Sequence, residues 1–441
     1  DGELTQIEEV WQQIVDVEEP VNAFIYGISG TGKTVSIKHK QRDLETSLEN
    51  YDDVHATFIY QNCESLNSSY QAAIAIVNSY LNDPEYDYLH DLLDINREVL
   101  PRSGLPTEQV YSIFFRLLDS LNYRNTEYRA QIDEAISTDP VLSGSISASD
   151  LLDQSEDGSS NIGIQTGDDQ DSHQDVRSRL EQEYDIRPPS EVTDYVVVIL
   201  DEVDRIGTHD ELLYEIPRSR MNDRIENVLP SVIGISNDIG YKESIQSKTD
   251  SSLRLKEITF KQYDANQLNE ILTQRAQRAF VQDDVEEPVS LAAAFAKQEG
   301  GDARYGIDLL QKAGMKAKKQ GDSRITEEHI REAHEEYERD RVYEVTEDLS
   351  DQEKMVLAAV MYHDLTGDTP IERKDLYPTY QRFSRDVLGN TNSSRSVADY
   401  LKKMAQLGLL RRKDGYEGPG ESGFIYDLEK VDYNMIMQAL G

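Results

Sequence analysis

The sequence predicts an α/β protein in which a five-stranded parallel sheet is followed by a helical bundle and a C-terminal winged helix-turn-helix. Three observations lead to this prediction. Residues 27–34 fit the phosphate-binding pattern G-x-x-x-x-G-K-[ST] between an apolar run and a helical run. Residues 195–200 form a second apolar run that ends in two carboxylates. From about residue 345, helical patterns alternate with two short strands around a glycine-rich turn.

The phosphate-binding loop follows a predicted strand at 22–26 and precedes a helical run that extends to about Leu48. An isolated glycine turn is the simpler alternative, but a strand before the loop and a helix after it favour phosphate binding. The glycines let successive N–H groups converge on a di- or triphosphate, and the helix N-terminus lies behind them. Lys33 would contact the β- and γ-phosphates, and Thr34 would contact Mg²⁺. The candidate contacts for ATP or ADP are Gly30, Thr31, Gly32, Lys33, Thr34 and Val35.

Polar side chains are predicted at the ends of two further strands. Residues 195–200 read as a buried strand that ends at Asp201 and Glu202. Because ligands bind at the carboxyl ends of parallel strands, Asp201 is expected to hold Mg²⁺ and Glu202 to orient the attacking water; acids that merely begin a loop are the alternative. The strand at 231–236 ends at Asn237, which either positions the γ-phosphate or water, or simply favours the turn.

The remaining elements of this part are a strand at 54–60, helices at 66–81 and 107–121, and a fifth strand at 257–260. Residues 124–194 interrupt the pattern with Ser, Asp, Gly and Gln. This composition predicts a mostly flexible acidic insertion without a core of its own, in which only 127–136 and 174–184 form short helices.

Residues 264–341 are predicted to be nearly all helical, which indicates a small bundle after the sheet. Arg304 stands at the start of one of its helices, where it either is solvated or reaches a phosphate. The predicted helices are 266–280, 289–299, 303–320 and 327–339.

The C-terminal part reads as helices at 352–361, 374–388 and 394–407, the second interrupted by Pro378, followed by strands around 409–413 and 424–428. This order is typical of a winged helix-turn-helix. From 391 to 416 there are six bases and two acids, in a chain with 84 acids and 45 bases. The local excess favours double-stranded DNA over the alternative, a protein-docking module. The candidate DNA contacts are Arg395, Ser396, Lys402, Arg411, Arg412 and Lys413.

The charge of the chain indicates the salt conditions in which this protein works. The net charge of −39 would cause self-repulsion in dilute salt, whereas molar salt, with a Debye length of about 3 Å, screens it. Together with the absence of lysine between Lys40 and Lys242, this indicates a halophile, although an acidic protein that avoids DNA is an alternative.

The single cysteine, Cys63, excludes an internal disulfide and suggests a packed thiol in a reducing, cytoplasmic setting. No run is apolar enough to predict a membrane span. Because the sequence opens at Asp1, we expect its native N-terminus upstream.

These motifs, in this order, resemble those of the archaeal initiator family related to the eukaryotic origin recognition complex and its helicase loader, members of the AAA+ superfamily. The residues that carry the resemblance are 24–34, 62–63, 200–204, 233–238, 263–265 with 271, 272 and 275, and 301–304. The resemblance implies that Asn237 and Arg304 act as the first and second nucleotide sensors, and that Tyr263 and Arg275 line the nucleotide pocket.

The resemblance also implies an AAA+ core at 1–260, a helical lid at 261–341 and a winged-helix domain at 345–441. It further implies binding to origin DNA, a contribution to loading the replicative helicase, and slow ATP hydrolysis by a protein that is monomeric in solution or assembles on DNA. One departure is that Lys248 stands where the family has an arginine that acts on a neighbouring subunit, and lysine lacks the planar fork. Two alternatives are a DNA-binding regulator that keeps ATP as a structural ligand and a signalling ATPase whose winged helix docks a protein.

Overall fold

The computed structural model divides into two compact units, Asp1–Tyr263 and Asp264–Gly441. The structure describes residues 2–95, 99–138, 192–207, 211–238, 240–241, 255–281, 285–414 and 424–428, together with Leu152, Leu180, Tyr184 and Ile186. Lys248 and most of the predicted insertion lie outside these residues. None of the helices in the described part of the chain combines the length and apolar character needed to cross a membrane.

A five-stranded sheet forms the centre of the first unit, and all its strands are parallel. The predicted fold class is thereby confirmed. The strands lie in the spatial order β2-β3-β4-β1-β5. Their register pairs Asn62 with Asp201, Asp201 with Ile235 and Tyr26 with Ser236, so the ends of four adjacent strands meet at one edge. The strands are β1 (Asn22–Tyr26), β2 (Val54–Asn62), β3 (Thr193–Asp201), β4 (Leu229–Ser236) and β5 (Leu255–Thr259).

Helices cover both faces of this sheet. The buried residues of β3 accordingly alternate between two apolar clusters, one on each face. Val196, Val198 and Leu200 pack with α3 and α5 on one face, and Val197 and Ile199 pack with α1 and α2 on the other. A strand that is buried on both faces explains the continuous apolar run in the sequence. The helices are α1 (Gly2–Val15), α2 (Lys33–Leu48), α3 (Ser69–Leu81), α4 (Leu89–Leu92), α5 (Thr107–Ser120), α6 (Glu127–Thr138) and α7 (Glu211–Glu215).

The described part of the acidic insertion is more ordered than its composition predicts. Helix α6 confirms the short helix predicted near 127–136. Its buried side chains Tyr128, Ile132 and Ala135 pack with Leu152 and Leu180 in a small apolar cluster. The expectation that the insertion buries no core of its own is therefore wrong in this part. The reason is local: apolar residues at helical spacing form one buried face even in a polar segment.

The second unit begins with four helices. Aspartate side chains cap two of their N-termini: Asp264 accepts from the N–H groups of Asn266 and Gln267, and Asp302 accepts from those of Arg304 and Tyr305. The last helix is longer than predicted because Val342 and Val345 pack against the core of the winged helix that follows. The helices are α8 (Ala265–Ala279), α9 (Glu286–Gln298), α10 (Ala303–Gln320) and α11 (Glu327–Glu347).

A winged helix completes the second unit, with an antiparallel sheet in the order β6-β8-β7. The predicted interruption at Pro378 is wrong, since this proline lies inside α13. Leu376, Tyr380 and Ser384 are buried along one face of that helix, and their packing offsets the backbone hydrogen bond that proline cannot donate. The elements are α12 (Asp351–Thr366), β6 (Ile371–Glu372), α13 (Arg373–Leu388), α14 (Ser394–Gln406), β7 (Leu410–Asp414) and β8 (Phe424–Leu428).

Candidate nucleotide site and nucleic-acid face

The phosphate-binding loop connects β1 to α2 and curls at two glycines with positive φ, Gly30 at 75° and Gly32 at 82°. A Cβ atom on Gly32 would collide with the hydroxyl of Tyr263, so the close approach of these two residues requires glycine. The Thr31 hydroxyl donates to the carbonyl of Ile28 at 2.8 Å and tightens the loop. The N-cap residue of α2 is Gly32, which has no side chain, so the N-cap position offers no side-chain acceptor to the first N–H groups of the helix. This is the backbone geometry that binds phosphate.

Lys33 is buried, with 5% of its surface exposed, and its ammonium group lies inside the curl of the loop. Nζ donates to the carbonyls of Gly27 and Ile28 and to Oδ1 of Asn237, each at 2.8 Å. The last bond joins the loop after β1 to the end of β4. Lys33 and Asn237, which are distant in sequence, therefore lie together where a terminal phosphate would be bound.

Asp201 lies beside Thr34 at the end of β3. The Thr34 hydroxyl donates to Oδ2 of Asp201 at 2.6 Å, and the Tyr60 hydroxyl donates to the same oxygen at 2.7 Å. The backbone N–H of Glu202 donates to Oδ1 at 3.0 Å. A hydroxyl and a carboxylate are the hard oxygen ligands that suit Mg²⁺, so the residues present fit this ion.

Glu202 adopts a left-handed backbone conformation, with φ of 54° and ψ of 42°, which is uncommon for a residue other than glycine. Burial, and then the neighbouring Glu64 and Asp201 carboxylates, raise the pKa of Glu202, while Arg205 at 3.8 Å acts in the opposite direction. A carboxylate with a raised pKa at a strand end is suited to accept a proton from water.

Two residues of the site were given no role by the sequence analysis. Oδ1 of Asp204 accepts from the Ser236 hydroxyl at 2.7 Å and from the Asn237 N–H at 3.3 Å, and so holds the end of β4. Tyr60 contacts Asp201 from β2, and burial, its hydrogen bond to Asp201 and the nearby carboxylates raise the pKa of its hydroxyl. The close spacing of the acids 201, 202 and 204 in the sequence was a signal for Asp204. The contact of Tyr60 with Asp201 depends on strand order, which no sequence pattern indicated.

Cys63 lies next to these acids and is fully buried. Burial, followed by the carboxylates of Asp201, Asp204 and Glu202, raises the pKa of its thiol to about 12. The packed thiol predicted from the sequence is therefore confirmed.

The other candidate nucleotide contacts surround the loop or belong to the second unit. Val35 is 65% exposed in the first turn of α2, and its contact with a nucleotide stays a prediction. Tyr263 reaches Gly32 from the end of the first unit. Arg275 lies in α8 and Arg304 in the first turn of α10, both exposed on the second unit. Their approach to a nucleotide in the first unit stays a prediction.

On the winged helix, Arg395 and Lys402 are exposed two turns apart on α14, which places them on the same side of the helix. No ion pair between described residues engages either of them. Ser396 belongs to the N-terminal cap, where its N–H donates to the Ser393 hydroxyl oxygen.

The strand β7 carries the remaining candidate DNA contacts. Arg411 pairs with Asp427 of β8 at 3.1 Å, and the guanidinium of Arg412 lies 3.4 Å from the centre of the Phe424 ring. Lys413 is exposed. Two of the three predicted wing contacts therefore also stabilise the wing itself.

The strand order, the phosphate-binding loop, the acids at the end of β3 and the attached winged helix define an AAA+ ATPase fold with a C-terminal winged-helix domain. Two family descriptions match within the chain: the Cdc6 AAA+ ATPase-type lid domain at residues 269–335 and the CDC6 C-terminal winged helix domain at residues 344–431. An ORC1-type DNA replication protein of Pyrococcus furiosus is 31% identical over 414 residues, covering 92% of this chain and 78% of the relative. The chain belongs to the family of ORC1-type DNA replication proteins, as the resemblance implied.

Further matches include a haloarchaeal relative and two solved structures. ORC1-type DNA replication protein 8 of Halobacterium salinarum is 30% identical over 443 residues, covering 100% of this chain and 90% of the relative. Such a haloarchaeal relative fits the halophile expected from the acidic surface. Among solved structures, the Aeropyrum pernix ORC1 protein in complex with DNA has a TM-score of 0.64 at 24% identity, covering 100% of this chain and 91% of that one. The Aeropyrum pernix ORC2 protein, in ADPNP–ADP complexes, has a TM-score of 0.51 at 16% identity over 100% of this chain and 92% of that one.

Proposed function

We propose that this chain is an ATP-dependent initiator of DNA replication, which binds double-stranded origin DNA through its winged helix and helps to recruit or load the replicative helicase. The observation that carries the proposal is that one chain combines the Lys33–Asn237 and Thr34–Asp201 pairs with an exposed basic face on α14. Family membership supports the same function. The helicase is proposed on the resemblance alone.

The nucleotide site would work as follows. The N–H groups of the loop and Lys33 bind the phosphates of ATP or ADP, and Thr34 and Asp201 hold Mg²⁺, which when bound neutralises the phosphate charge. Glu202 orients and deprotonates water, and Asn237 senses the terminal phosphate. The resemblance supports further nucleotide contacts by Tyr263, Arg275 and Arg304, in a chain whose core would end near 260 and whose lid would end near 341. Nucleotide state would thereby control the placing of the winged helix at 345–441.

Hydrolysis is expected to be slow, so that ATP acts as a timer. Lys248, at the position of the family's arginine, cannot form the bidentate contact that stabilises phosphate charge on a neighbour. The protein would be monomeric in solution or assemble on DNA.

Glu202→Gln is expected to lower the ATP hydrolysis rate at least about 100-fold while ATP binding is retained, because the amide cannot accept a proton. The raised pKa of Glu202 also determines how the rate of the wild-type protein depends on pH. Since the ionised carboxylate is the active form, the rate should rise with pH through a midpoint above the ordinary glutamate value of 4.5. Phosphate release measured against pH in molar KCl tests both expectations.

Glu64→Gln serves as the matched probe, because it removes one carboxylate that raises the pKa of Glu202 and should move the acidic limb to lower pH. A rate that Glu202→Gln leaves unchanged would show that another group activates the water.

Genome-wide mapping of bound sites, together with mapping of replication start points, tests the function as a whole. Coincidence of the two is expected. Occupancy scattered over promoters would instead identify a transcriptional regulator with ATP as a structural ligand. The absence of any bound DNA would favour a signalling ATPase whose winged helix docks a protein.

A further inference from the structure

Tyr60 lies on β2, next to β3, close to the point where both strands end. The register pairs Asn62 with Asp201, which places Tyr60 two residues before that pair. Its hydroxyl donates to Oδ2 of Asp201 at 2.7 Å, the oxygen that also accepts from Thr34 at 2.6 Å. Because the Glu202 N–H donates to Oδ1, both oxygens of this carboxylate are fixed.

The ring of Tyr60 is itself held in place. The ammonium group of Lys38, on α2, lies 3.8 Å from the ring centre, at a distance typical of a cation–π contact. The ring also packs against the apolar cluster between the sheet and the helices α1 and α2. Tyr60 therefore links three elements, α2, β2 and β3, and its hydroxyl has little freedom to leave Asp201.

We propose that Tyr60 is a positioning residue for magnesium binding, whose hydroxyl holds the Asp201 carboxylate beside the hydroxyl of Thr34. The proposal rests on the proposed function of the nucleotide site. Partners that orient a metal-binding carboxylate contribute about 10- to 100-fold to metal affinity, since without them the ligand must be ordered when the metal binds. In this role Tyr60 would act on the metal only through the Asp201 carboxylate.

Tyr60→Phe keeps the ring, its contact with Lys38 and its packing, and removes only the hydroxyl. Fluorescent ADP binding to the full chain in molar KCl is measured while Mg²⁺ is titrated. The half-saturating Mg²⁺ concentration is expected to rise about 10-fold, whereas ADP affinity at saturating Mg²⁺ stays unchanged.

Tyr195→Phe is the matched control, because Tyr195 is a buried tyrosine of the same sheet. Its hydroxyl donates to the carbonyl of Glu18 at 2.8 Å, from the other end of β3. The control loses one hydrogen bond of comparable worth but should retain the wild-type Mg²⁺ titration. An unchanged titration in Tyr60→Phe, or an equal loss of ADP affinity at every Mg²⁺ concentration, overturns the inference alone. Absence of Mg²⁺-dependent ADP binding in the wild-type protein overturns the proposed nucleotide site and this inference with it.

Discussion

Replacing Lys33 by alanine is expected to weaken binding of ADP and ATP by about 100-fold, the equivalent of about 3 kcal/mol. The ammonium group is buried in the loop, and its three N–H groups donate to two carbonyls and to Asn237, so a bound phosphate would take the place of one of these acceptors. Alanine removes the charge and all three hydrogen bonds. Calorimetry with Mg·ADP in molar KCl measures the loss. If nucleotide controls the winged helix, occupancy of origin DNA should fall as well.

Lys40→Met provides the control for charge and helix content. Lys40 lies on the same helix but pairs with Glu8 and Asp43, away from the loop. It should retain wild-type nucleotide affinity. Thermal unfolding of both variants separates a damaged site from a damaged fold. Wild-type affinity in a folded Lys33→Ala protein would contradict the role of the loop, and unchanged origin occupancy would contradict nucleotide control.

Much of the fold followed from local patterns in the sequence. The predicted strands at 22–26 and 424–428 coincide with β1 and β8, because short apolar runs with clear turn signals leave little freedom in their bounds. The proximity of Thr34 to Asp201 was also predictable. Since the carboxyl ends of parallel strands meet at one edge, a loop after one strand and acids after another must converge.

The remaining features depend on which strands are neighbours. A sequence pattern within one segment carries no information about strand order. Tyr60 reaches Asp201 only because β2 lies beside β3, and Asp204 holds Asn237 only because β4 lies on the other side. Pro378 shows the same limit, because its helix is maintained by the buried face of α13 against the local preference of proline. Sequence patterns indicated the chemical groups of the site; the strand order determined their partners.

The acidic surface imposes a particular requirement on DNA binding. With a net charge of −39, the chain as a whole repels DNA, and at high salt counterion release contributes little to affinity. Specific contacts and DNA shape must therefore provide most of the binding free energy at working salt. The exposed basic residues of α14 are the part of the winged helix where such contacts are expected.

Replacing Arg395 and Lys402 together by alanine is expected to weaken origin DNA binding at least about 10-fold in moderate KCl, because each removes one cation from the exposed side of α14. If both contact phosphates, the slope of log affinity against log salt should become shallower by about 1.8, or about 0.9 for each lost contact. Fluorescence anisotropy over a KCl series measures affinity and slope together.

Lys318→Ala with Lys319→Ala changes the net charge by the same amount, at the exposed C-terminal end of α10 outside the winged helix. This control should leave both affinity and slope unchanged, because a general charge effect would act equally in the two double variants. Equal losses would mean that α14 has no special role. If the Arg395 and Lys402 variant alone weakens binding without a change of slope, the two residues contact bases rather than phosphates, and the loss should then depend on DNA sequence.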